Sequence, residues 1–392
     1  MNYEEIIRDY GTPTYVYDIA ELQRRVQYIR SKLNSDYKLI YAVKANTFIL
    51  PKLENFVDGY EICSFGEFEI CKELNLNQTK FLISGVYKNK KEIEYMLSKC
   101  PDVLKYTIES WNQYELLKEL TEKYQKEIQV LIRLTSGNQF GVSESDFEKI
   151  VEANSGNKYI HIVGIEYFTG TQKHSLKKIN REIDYLISFI ESIEEKYLIE
   201  LCEVEYGTGS PVFYFQGEEF DEDDYFKELN LALGRIKDRK ISLEVGRSIA
   251  ASCGSFFTSV VDMKHNKNGN IALLDGGINQ LVYYGQTMAM RIPYFDIYPK
   301  RSGELIPYNL YGSLCTVNDI IVKNITVNQL ETGDVFIFKN VGAYSATEGI
   351  ALFLSRDLPK VVICDENEKC YMVRNSLKTS EPNFPKYDEK EM

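Results

Sequence analysis

An alternation of short apolar segments with amphipathic segments, between about residues 35 and 260, most constrains the fold of this chain. The strand-like apolar segments lie at 38–43, 81–83, 129–133, 161–165, 201–205 and 241–244. Segments with apolar residues at helical spacing lie between several of them, at 67–74, 111–124 and 176–195. Such alternation favours a parallel sheet, and roughly 200–250 residues is the length of an eight-fold β/α barrel. We therefore predict a TIM-like barrel over residues 30–260.

The character of the sequence changes after about residue 260. Strand-like segments follow one another at 271–277, 319–322 and 334–338, Tyr and Phe are frequent, and long helical patterns are few. Residues 13–18 also read as a strand and are expected to join the same sheet. The predicted fold class is α/β, with the barrel accompanied by a mostly antiparallel β domain built from residues 1–29 and 261–392.

Charge and hydropathy exclude several classes of partner. The net charge of the chain is -12 and its sequence pI is near 5.1, which argues against nucleic acid because phosphate binding needs a basic surface. No apolar run approaches the ~18 residues of a membrane span, and the acidic start MNYEE does not resemble a targeting signal. We expect a cytoplasmic enzyme with no membrane or nucleic-acid partner.

The cysteines and histidines do not predict a metal site. The eight cysteines form no CxxC pair, so reduced thiols are expected. The three histidines are His161, His174 and His265, which are too scattered to form a convincing metal site.

Residues 41–46, YAVKAN, place Lys44 directly after a predicted buried strand. A side chain at a strand end lies at the mouth of a barrel, where catalytic groups are found. A lysine in this position can lose its proton by desolvation and attack an aldehyde. The alternative is a lysine whose ammonium simply extends to water.

Four further segments carry residues suited to the same chemistry. Glycine-rich turns approach phosphate closely, Arg clamps phosphate, and Glu can hold a proton on a ring nitrogen. Each segment alone is weak evidence for a cofactor site. Glycines usually form a simple turn, a Glu and an Arg usually form a surface ion pair, and a cysteine or a tyrosine is usually buried in packing. The segments are VEYGTGS at 204–210, LEVGR at 243–247, GSLCTVND at 312–319 and NVGAYS at 340–345.

In this order and spacing, the segments resemble the fold-type III pyridoxal-phosphate decarboxylases. This is the alanine-racemase-like family that contains diaminopimelate, ornithine and arginine decarboxylases. The resemblance extends from about residue 13 to residue 344, with smaller matches at 63–67, 83–88, 139–141 and 164–172. It implies a pyridoxal 5'-phosphate cofactor and loss of CO2 from the α-carboxylate of an amino acid.

The resemblance assigns cofactor roles residue by residue. Lys44 corresponds to the lysine that forms the Schiff base, and Glu244 to the acid that keeps the pyridine nitrogen protonated. Phe168 lies where the family often has a histidine stacked on the ring. The phosphate contacts implied by the family are Thr171, Gly207, Gly209, Arg247 and Tyr344.

The resemblance also implies a homodimer with shared active sites. Cys315 corresponds to the thiol that the partner subunit contributes to reprotonate the carbon that loses CO2. Three residues are implied to lie near the substrate: Arg291, Thr316 and Asp319.

Departures from the family pattern concern the cofactor site and the substrate. Thr208 replaces the central glycine of a Gly-Gly-Gly turn and is expected to crowd the phosphate, Val245 replaces a proline, and Glu166 and Phe168 replace two histidines. Thr316 stands where diaminopimelate decarboxylases have Glu and ornithine decarboxylases have Asp to hold a distal ammonium. The motifs are more similar to a secondary-metabolism branch, which includes a butirosin-pathway decarboxylase of a glutamyl group on an acyl-carrier protein.

Several alternatives stay open at the level of sequence. The substrate can be a free amino acid or a conjugate tethered to a carrier protein, and a diaminopimelate or other basic amino-acid decarboxylase is the nearest alternative. An amino-acid racemase on the same fold is a second alternative, although Cys315 favours decarboxylation. A non-catalytic binding protein is a third, although Lys44, Arg247 and Tyr344 are retained.

Overall fold

The computed structural model describes residues 1–267 and 269–385. In chain order, the strands are β1 Thr14–Asp18, β2 Lys38–Ala42, β3 Gly59–Ile62, β4 Phe81–Ile83, β5 Lys105–Ile108, β6 Ile128–Leu134, β7 Ile160–Tyr167, β8 Glu203–Gly207, β9 Lys240–Val245, β10 Gly254–Asn266, β11 Gly269–Leu274, β12 Phe295–Tyr298, β13 Leu305–Tyr311, β14 Ile320–Asn328, β15 Val335–Phe338, β16 Lys360–Cys364 and β17 Cys370–Arg374.

The α-helices are α1 Tyr3–Tyr10, α2 Ile19–Lys32, α3 Phe65–Glu73, α4 Lys90–Lys99, α5 Trp111–Tyr124, α6 Glu144–Ala153, α7 Leu176–Tyr197, α8 Glu222–Leu233, α9 Arg247–Ala250 and α10 Ser380–Asn383. Short 3-10 helices lie at Val43–Ala45, Leu50–Lys52, Gln78–Lys80 and Phe353–Ser355. Across the described parts of the chain, no helix combines the length and apolar character needed to cross a bilayer.

The chain divides into two compact units, one of which comprises Val26–Val212 and Phe220–Ser248. In this unit β2 to β9 form a closed barrel of parallel strands, completed by the pairing of β9 with β2, where Tyr41 lies opposite Val245. The predicted barrel is therefore confirmed. The strands are almost wholly buried, as expected for parallel strands covered on the outside by helices.

Helices around the barrel begin where the sequence supplies caps. Ser110 accepts a hydrogen bond from the Gln113 amide at the start of α5, and Ser175 does the same for the Lys178 amide at the start of α7. In α7 a stripe at helical spacing is buried, formed by Ile179, Ile183, Leu186, Ile190 and Ile193.

The other unit comprises Met1–Arg25, Phe213–Glu219 and Ile249–Met392. Its strands form one sheet in the order β14-β13-β11-β10-β1-β16-β17, and β15 pairs with both β10 and β12. Most pairings are antiparallel, and the parallel ones are β1 with β16 and β11 with β13. The mostly antiparallel domain is thus confirmed, as is the expectation that residues 13–18 join its sheet.

The core of this second unit lies between the sheet and α1. It contains Ile6 of α1 together with Val16, Phe257, Val335, Ile337 and Val362 of the strands. Cys364 and Cys370 face each other on β16 and β17 and form a disulfide. The expectation that all cysteines are reduced is therefore wrong for this pair, because register places the two thiols opposite each other. The predicted domain boundaries near residues 30 and 260, and the roles given to each segment, stay predictions.

Candidate active site

The carboxyl ends of the barrel strands gather the side chains suited to chemistry. Lys44 lies in the 3-10 turn directly after β2, and the Tyr41 hydroxyl fixes this turn by donating to the Asn46 carbonyl at 3.1 Å. The Lys44 side chain is 42% exposed, while its ammonium reaches the buried carboxylate of Glu61 in β3. The lysine is therefore both held in place and open to a small molecule.

Lys44, Glu61 and Cys63 form a short hydrogen-bonded cluster. Lys44 Nζ donates to Glu61 Oε2 at 2.5 Å and lies 3.4 Å from Cys63 Sγ, whose thiol donates to Glu61 Oε1 at 3.1 Å. Burial alone would lower the pKa of Lys44, but Glu61, and after it Cys63 and Glu244, raise it well above its ordinary value. In the chain by itself, the Glu61 carboxylate therefore opposes the loss of the Lys44 proton that burial favours.

Acidic side chains from β3, β7, β8 and β9 meet inside the barrel. One oxygen each of Glu61, Glu166 and Glu244 lies within 4.8 Å of the other two, and the charge of Glu244 also acts on Glu205 of β8. Burial, followed by the charge of Glu61, raises the pKa of Glu244 to about 7. Burial, followed by the charge of Glu244, raises the pKa values of Glu166 and Glu205 well above the usual range.

The acidic group fits a nitrogen that carries a proton. Glu244 Oε1 is buried and has no hydrogen-bond partner among the described residues, and such an orphaned acceptor is costly unless a donor reaches it. A ring N–H would supply that donor. Three carboxylates at this spacing can also hold a metal ion, but the Lys44 ammonium and the Arg133 guanidinium already face them.

Two buried basic residues adjoin the acids. Arg133 Nε in β6 lies 3.2 Å from Glu166 Oε1, and Nη1 donates to Glu109 Oε2 at 3.3 Å. Although burial opposes it, the pKa of Arg133 is raised by Glu166 and Glu109. Lys88, after β4, donates to the Gly85 carbonyl at 2.9 Å, and burial lowers the pKa of its ammonium to about 8.

The turn after β8 requires glycine at two positions. A Cβ on Gly207 would lie 2.0 Å from Phe168 Cδ2, so the ring of Phe168 packs directly on this glycine. Gly209 has a φ of +58°, and a Cβ there would lie 2.4 Å from the Gly170 carbonyl oxygen. Two strand-end loops therefore approach each other at backbone distance, which side chains at these positions would prevent.

The predicted phosphate contacts of the barrel unit lie at these loops. Arg247, at the start of α9 after β9, donates from Nε to Thr171 Oγ1 at 3.2 Å. Thr208 is buried, and its hydroxyl donates to the Glu244 carbonyl and accepts from Ser210. The structure thus brings Thr171, Arg247 and the glycine turn to one edge of the barrel, where backbone N–H groups and a guanidinium suit a phosphate.

The remaining predicted site residues belong to the sheet unit. Cys315 is exposed on the loop between β13 and β14. Thr316 Oγ1 accepts from the Asn318 amide, and the buried Asp319 carboxylate accepts from the amides of Ile278 at 2.9 Å and Leu314 at 2.6 Å. Burial raises the pKa of Asp319. Its contacts are those of a support for the loop, and its position near a substrate stays a prediction.

Arg291 and Tyr344 also lie in the sheet unit. The Arg291 guanidinium forms an ion pair with Glu218 and stacks 4.2 Å from the centre of the Phe215 ring, with 40% of its side chain exposed. Tyr344 has a φ of +67°, and its carbonyl accepts from the amides of Thr347 and Glu348. The roles predicted for both residues are predictions still.

Sequence reasoning missed Glu61, Arg133, Glu205 and Lys173 as site residues. Glu61, Arg133 and Glu205 lie in barrel strands, where strand position was the available signal, whereas Lys173 lies in the loop between β7 and α7. Glu166 and Lys88 were noticed only as part of family motifs. These residues meet across the barrel interior, and no spacing along the chain indicates that meeting.

The fold and the site together define a pyridoxal-phosphate enzyme of the β/α-barrel type. The family model described as pyridoxal-dependent decarboxylase, C-terminal sheet domain, matches residues 14–342, and the chain belongs to this family. The predictions of a decarboxylase and of its cofactor are thereby confirmed: the chain is a pyridoxal-phosphate-dependent carboxy-lyase that acts on an amino acid or an amino-acid conjugate.

Relatives span nearly the whole chain. A Staphylococcus aureus decarboxylase of 2-((L-alanin-3-ylcarbamoyl)methyl)-2-hydroxybutanedioate is 26% identical, over 91% of this chain and 94% of the relative. Diaminopimelate decarboxylase of Vibrio cholerae is 27% identical, over 94% of this chain and 91% of the relative. An L-glutamyl acyl-carrier protein decarboxylase of Niallia circulans is 26% identical, over 94% and 92%. The crystal structure of Helicobacter pylori diaminopimelate decarboxylase with L-lysine shares the fold, with a TM-score of 0.86, 24% identity and coverage of 97% and 98%.

Proposed function

We propose that the substrate is an amino-acid conjugate, amide-linked or tethered to a carrier protein, and not a free diamino acid. The observation that carries this proposal is the loop at 312–319. Thr316 is uncharged, and the Asp319 carboxylate is buried and held by two backbone amides. Neither residue offers a carboxylate to a distal ammonium, which decarboxylases of free diamino acids need to pair.

The names of two relatives support the same substrate class. The Staphylococcus aureus enzyme acts on an amide of an alanine-derived group, and the Niallia circulans enzyme acts on a glutamyl group carried by a protein. Arg291 provides a partly exposed guanidinium, stacked on Phe215 and paired with Glu218, that suits an anionic or amide-containing distal group.

The predicted site residues each have a proposed task in the reaction. Bound pyridoxal phosphate supplies an electron sink for the carbanion left by CO2. Lys44 would hold the cofactor at its aldehyde, Glu61 is placed to take up the Lys44 ammonium proton, and Glu244 would hold the proton of the ring nitrogen. The phosphate would be held by Thr171, Gly207, Gly209, Arg247 and Tyr344. Phe168 would pack against the ring, and the Cys315 thiol would supply a proton to the carbon that loses CO2.

We also propose a homodimer in which Cys315 serves the partner's site. Cys315 is exposed, and its neighbour Val317 is 89% exposed. A run of exposed apolar residues at 350–354 is tied to the same loop, since Arg356 donates to the Ser313 carbonyl at 2.9 Å. Apolar surface of this kind on a monomer marks an interface, and a second copy of this chain is the proposed partner. Location in the cytoplasm stays a prediction.

A substrate panel tests the proposal. CO2 release is measured from L-lysine, L-ornithine, meso-diaminopimelate, γ-amides of L-glutamate and a carrier-tethered glutamyl group. We expect the conjugates to exceed the free diamino acids in kcat/KM by at least about 100-fold, equivalent to about 2.7 kcal/mol. Comparable turnover of a free diamino acid would restore a basic amino-acid decarboxylase as the function.

Arg291 is probed with the conjugate that turns over best. Arg291→Ala should raise KM more than it lowers kcat, as for a group that binds ground and transition states alike. Glu218→Gln is the matched variant, because it removes the anion that competes for the same guanidinium and should lower KM. Unchanged KM in both variants would remove Arg291 from the substrate site.

A further inference from the structure

A buried charge network lies beneath the loops on the phosphate side, and the decarboxylation chemistry does not use it. Lys173 is 4% exposed, although lysine is rarely buried without a strong reason. Its Nζ donates to Glu182 Oε2 at 2.9 Å, to the Gly207 carbonyl at 2.9 Å and to the Tyr206 hydroxyl at 3.2 Å. All three donor positions of the ammonium are thereby used.

The same network joins two strand-end loops to helix α7. The Lys173 amide donates to the Gly209 carbonyl at 2.8 Å, which links the loop after β7 to the turn after β8. Glu182 of α7 accepts from the hydroxyls of Thr169 and Tyr206, both at 2.5 Å. The separation of the two loops is therefore set from inside the protein.

The network also orients the peptides of the turn at 207–209. Lys173 Nζ holds the Gly207 carbonyl, the Tyr225 hydroxyl donates to the Thr208 carbonyl at 3.1 Å, and the Lys173 amide holds that of Gly209. Because C=O and N–H of a trans peptide point in opposite directions, the Gly209 N–H points away from Tyr225. An N–H turned outward from a glycine turn is a donor for an anion.

We propose that Lys173 is a positioning residue for the phosphate of the cofactor, acting through the glycine turn at 207–209. Its backbone and side chain hold two carbonyls of the turn, and its ammonium places a positive charge directly behind it. A buried pair with Glu182 contributes little to stability by itself, so fold stability is a weak reason to bury a lysine there. The inference goes beyond the substrate proposal and does not depend on which amino-acid conjugate is used.

The test compares two ligands that differ only in the phosphate. Full-length chain freed of cofactor is titrated with pyridoxal 5'-phosphate and with pyridoxal, and binding is followed by absorbance. The variant is Lys173→Met combined with Glu182→Gln, which leaves no unpaired buried charge. We expect the Kd for pyridoxal phosphate to rise at least about ten-fold and that for pyridoxal to change less than about two-fold.

The matched control is Lys178→Met. Lys178 faces the same glutamate, with Nζ 3.9 Å from Glu182 Oε1, but it is exposed and does not contact the turn. It should change neither Kd by more than about two-fold. Thermal unfolding verifies that each variant is folded.

Two results would overturn the proposal. An equal loss of affinity for both ligands would reduce the network to a support of the barrel, and no loss for either would remove it from the site. Should the double variant not fold, Tyr206→Phe removes only the hydroxyl between Lys173 and Glu182, and the ratio of the two Kd values should still shift by about three-fold; an unchanged ratio is then the contradicting result. A wrong substrate assignment leaves this ratio untouched, so the two failures are distinguishable.

Discussion

At the scale of single residues, the protonation state of Lys44 decides how the enzyme acquires its cofactor. Only a neutral amine attacks an aldehyde, but Glu61 holds the proton on Lys44 with an oxygen 2.5 Å from Nζ. The same carboxylate is the nearest base that can take the proton when the amine reacts. Glu61 therefore opposes the first step through its charge and assists it as an acceptor.

Glu61→Gln separates these two effects. The carboxylate raises the pKa of Lys44, so its removal lowers that pKa and increases the neutral fraction of the amine at a given pH. We expect the pH midpoint of covalent pyridoxal attachment to move to lower pH. The measurement is the rate of attachment against pH in chain freed of cofactor, with borohydride fixation to identify Lys44 as the site.

Glu69→Gln is the control for Glu61, since Glu69 is an exposed acid in the adjacent helix. It should leave the pH midpoint where it is in the wild type. A midpoint that moves upward in Glu61→Gln, or does not move, would mean that another group governs the charge of Lys44.

At the scale of elements, the sequence predicted those strands whose apolar runs stand out from their surroundings. Within the barrel it missed β3 and β5, because the short segments Gly59–Ile62 and Lys105–Ile108 each carry a charged residue that interrupts the apolar run. In β3 that residue is Glu61, which faces the site. A charged residue in a four-residue strand leaves too few apolar residues for the strand to stand out, whereas the longer β9 was predicted although it carries Glu244.

Site residues were predictable where a short segment carries its own motif. They were unpredictable where they meet only because the strands close into a barrel. Lys44, Glu244 and Arg247 follow from short motifs supported by family resemblance. Glu61, Glu166 and Glu205 come together only because β3, β7 and β8 close into one barrel. The disulfide of Cys364 with Cys370 depends in the same way on the register of two strands.

The contact between the β7 and β8 loops allows a test at the level of elements. Gly207→Ala would place a methyl group 2.0 Å from Phe168 Cδ2, so the ring or the turn has to move. We expect at least about a ten-fold weaker affinity for pyridoxal phosphate and a destabilisation of about 1–3 kcal/mol, as for overpacking. Absorbance titration and denaturant unfolding measure the two quantities.

Phe168→Ala in the same chain provides the paired variant. Removing the ring opens the space that the new methyl group needs, so the double variant should regain part of the stability lost in Gly207→Ala. Strictly additive losses in the double-mutant cycle would show that the ring and the glycine do not restrict each other.

At the scale of the whole molecule, the proposed reaction needs residues from both units of the chain. Lys44 and Glu244 lie in the barrel unit, whereas Cys315 lies in the sheet unit on an exposed loop beside apolar surface. In a dimer with two-fold symmetry, the loop of each subunit lies against the other subunit, so each subunit can supply the thiol to the other. Each active site would then combine Lys44 of one subunit with Cys315 of the other.

Mixing two inactive variants tests this arrangement directly. Lys44→Ala lacks covalent attachment and Cys315→Ala lacks the proton donor, so each homodimer should be nearly inactive. A heterodimer has one site with both Lys44 and Cys315 intact. Random exchange makes about half of the dimers heterodimers, each with one intact site of two, so activity should recover to about a quarter of the wild-type value. Subunit exchange is verified with differently tagged chains, and Cys202→Ala, which removes another exposed thiol, serves as the control. No recovery despite exchange would mean that each active site is built within a single chain.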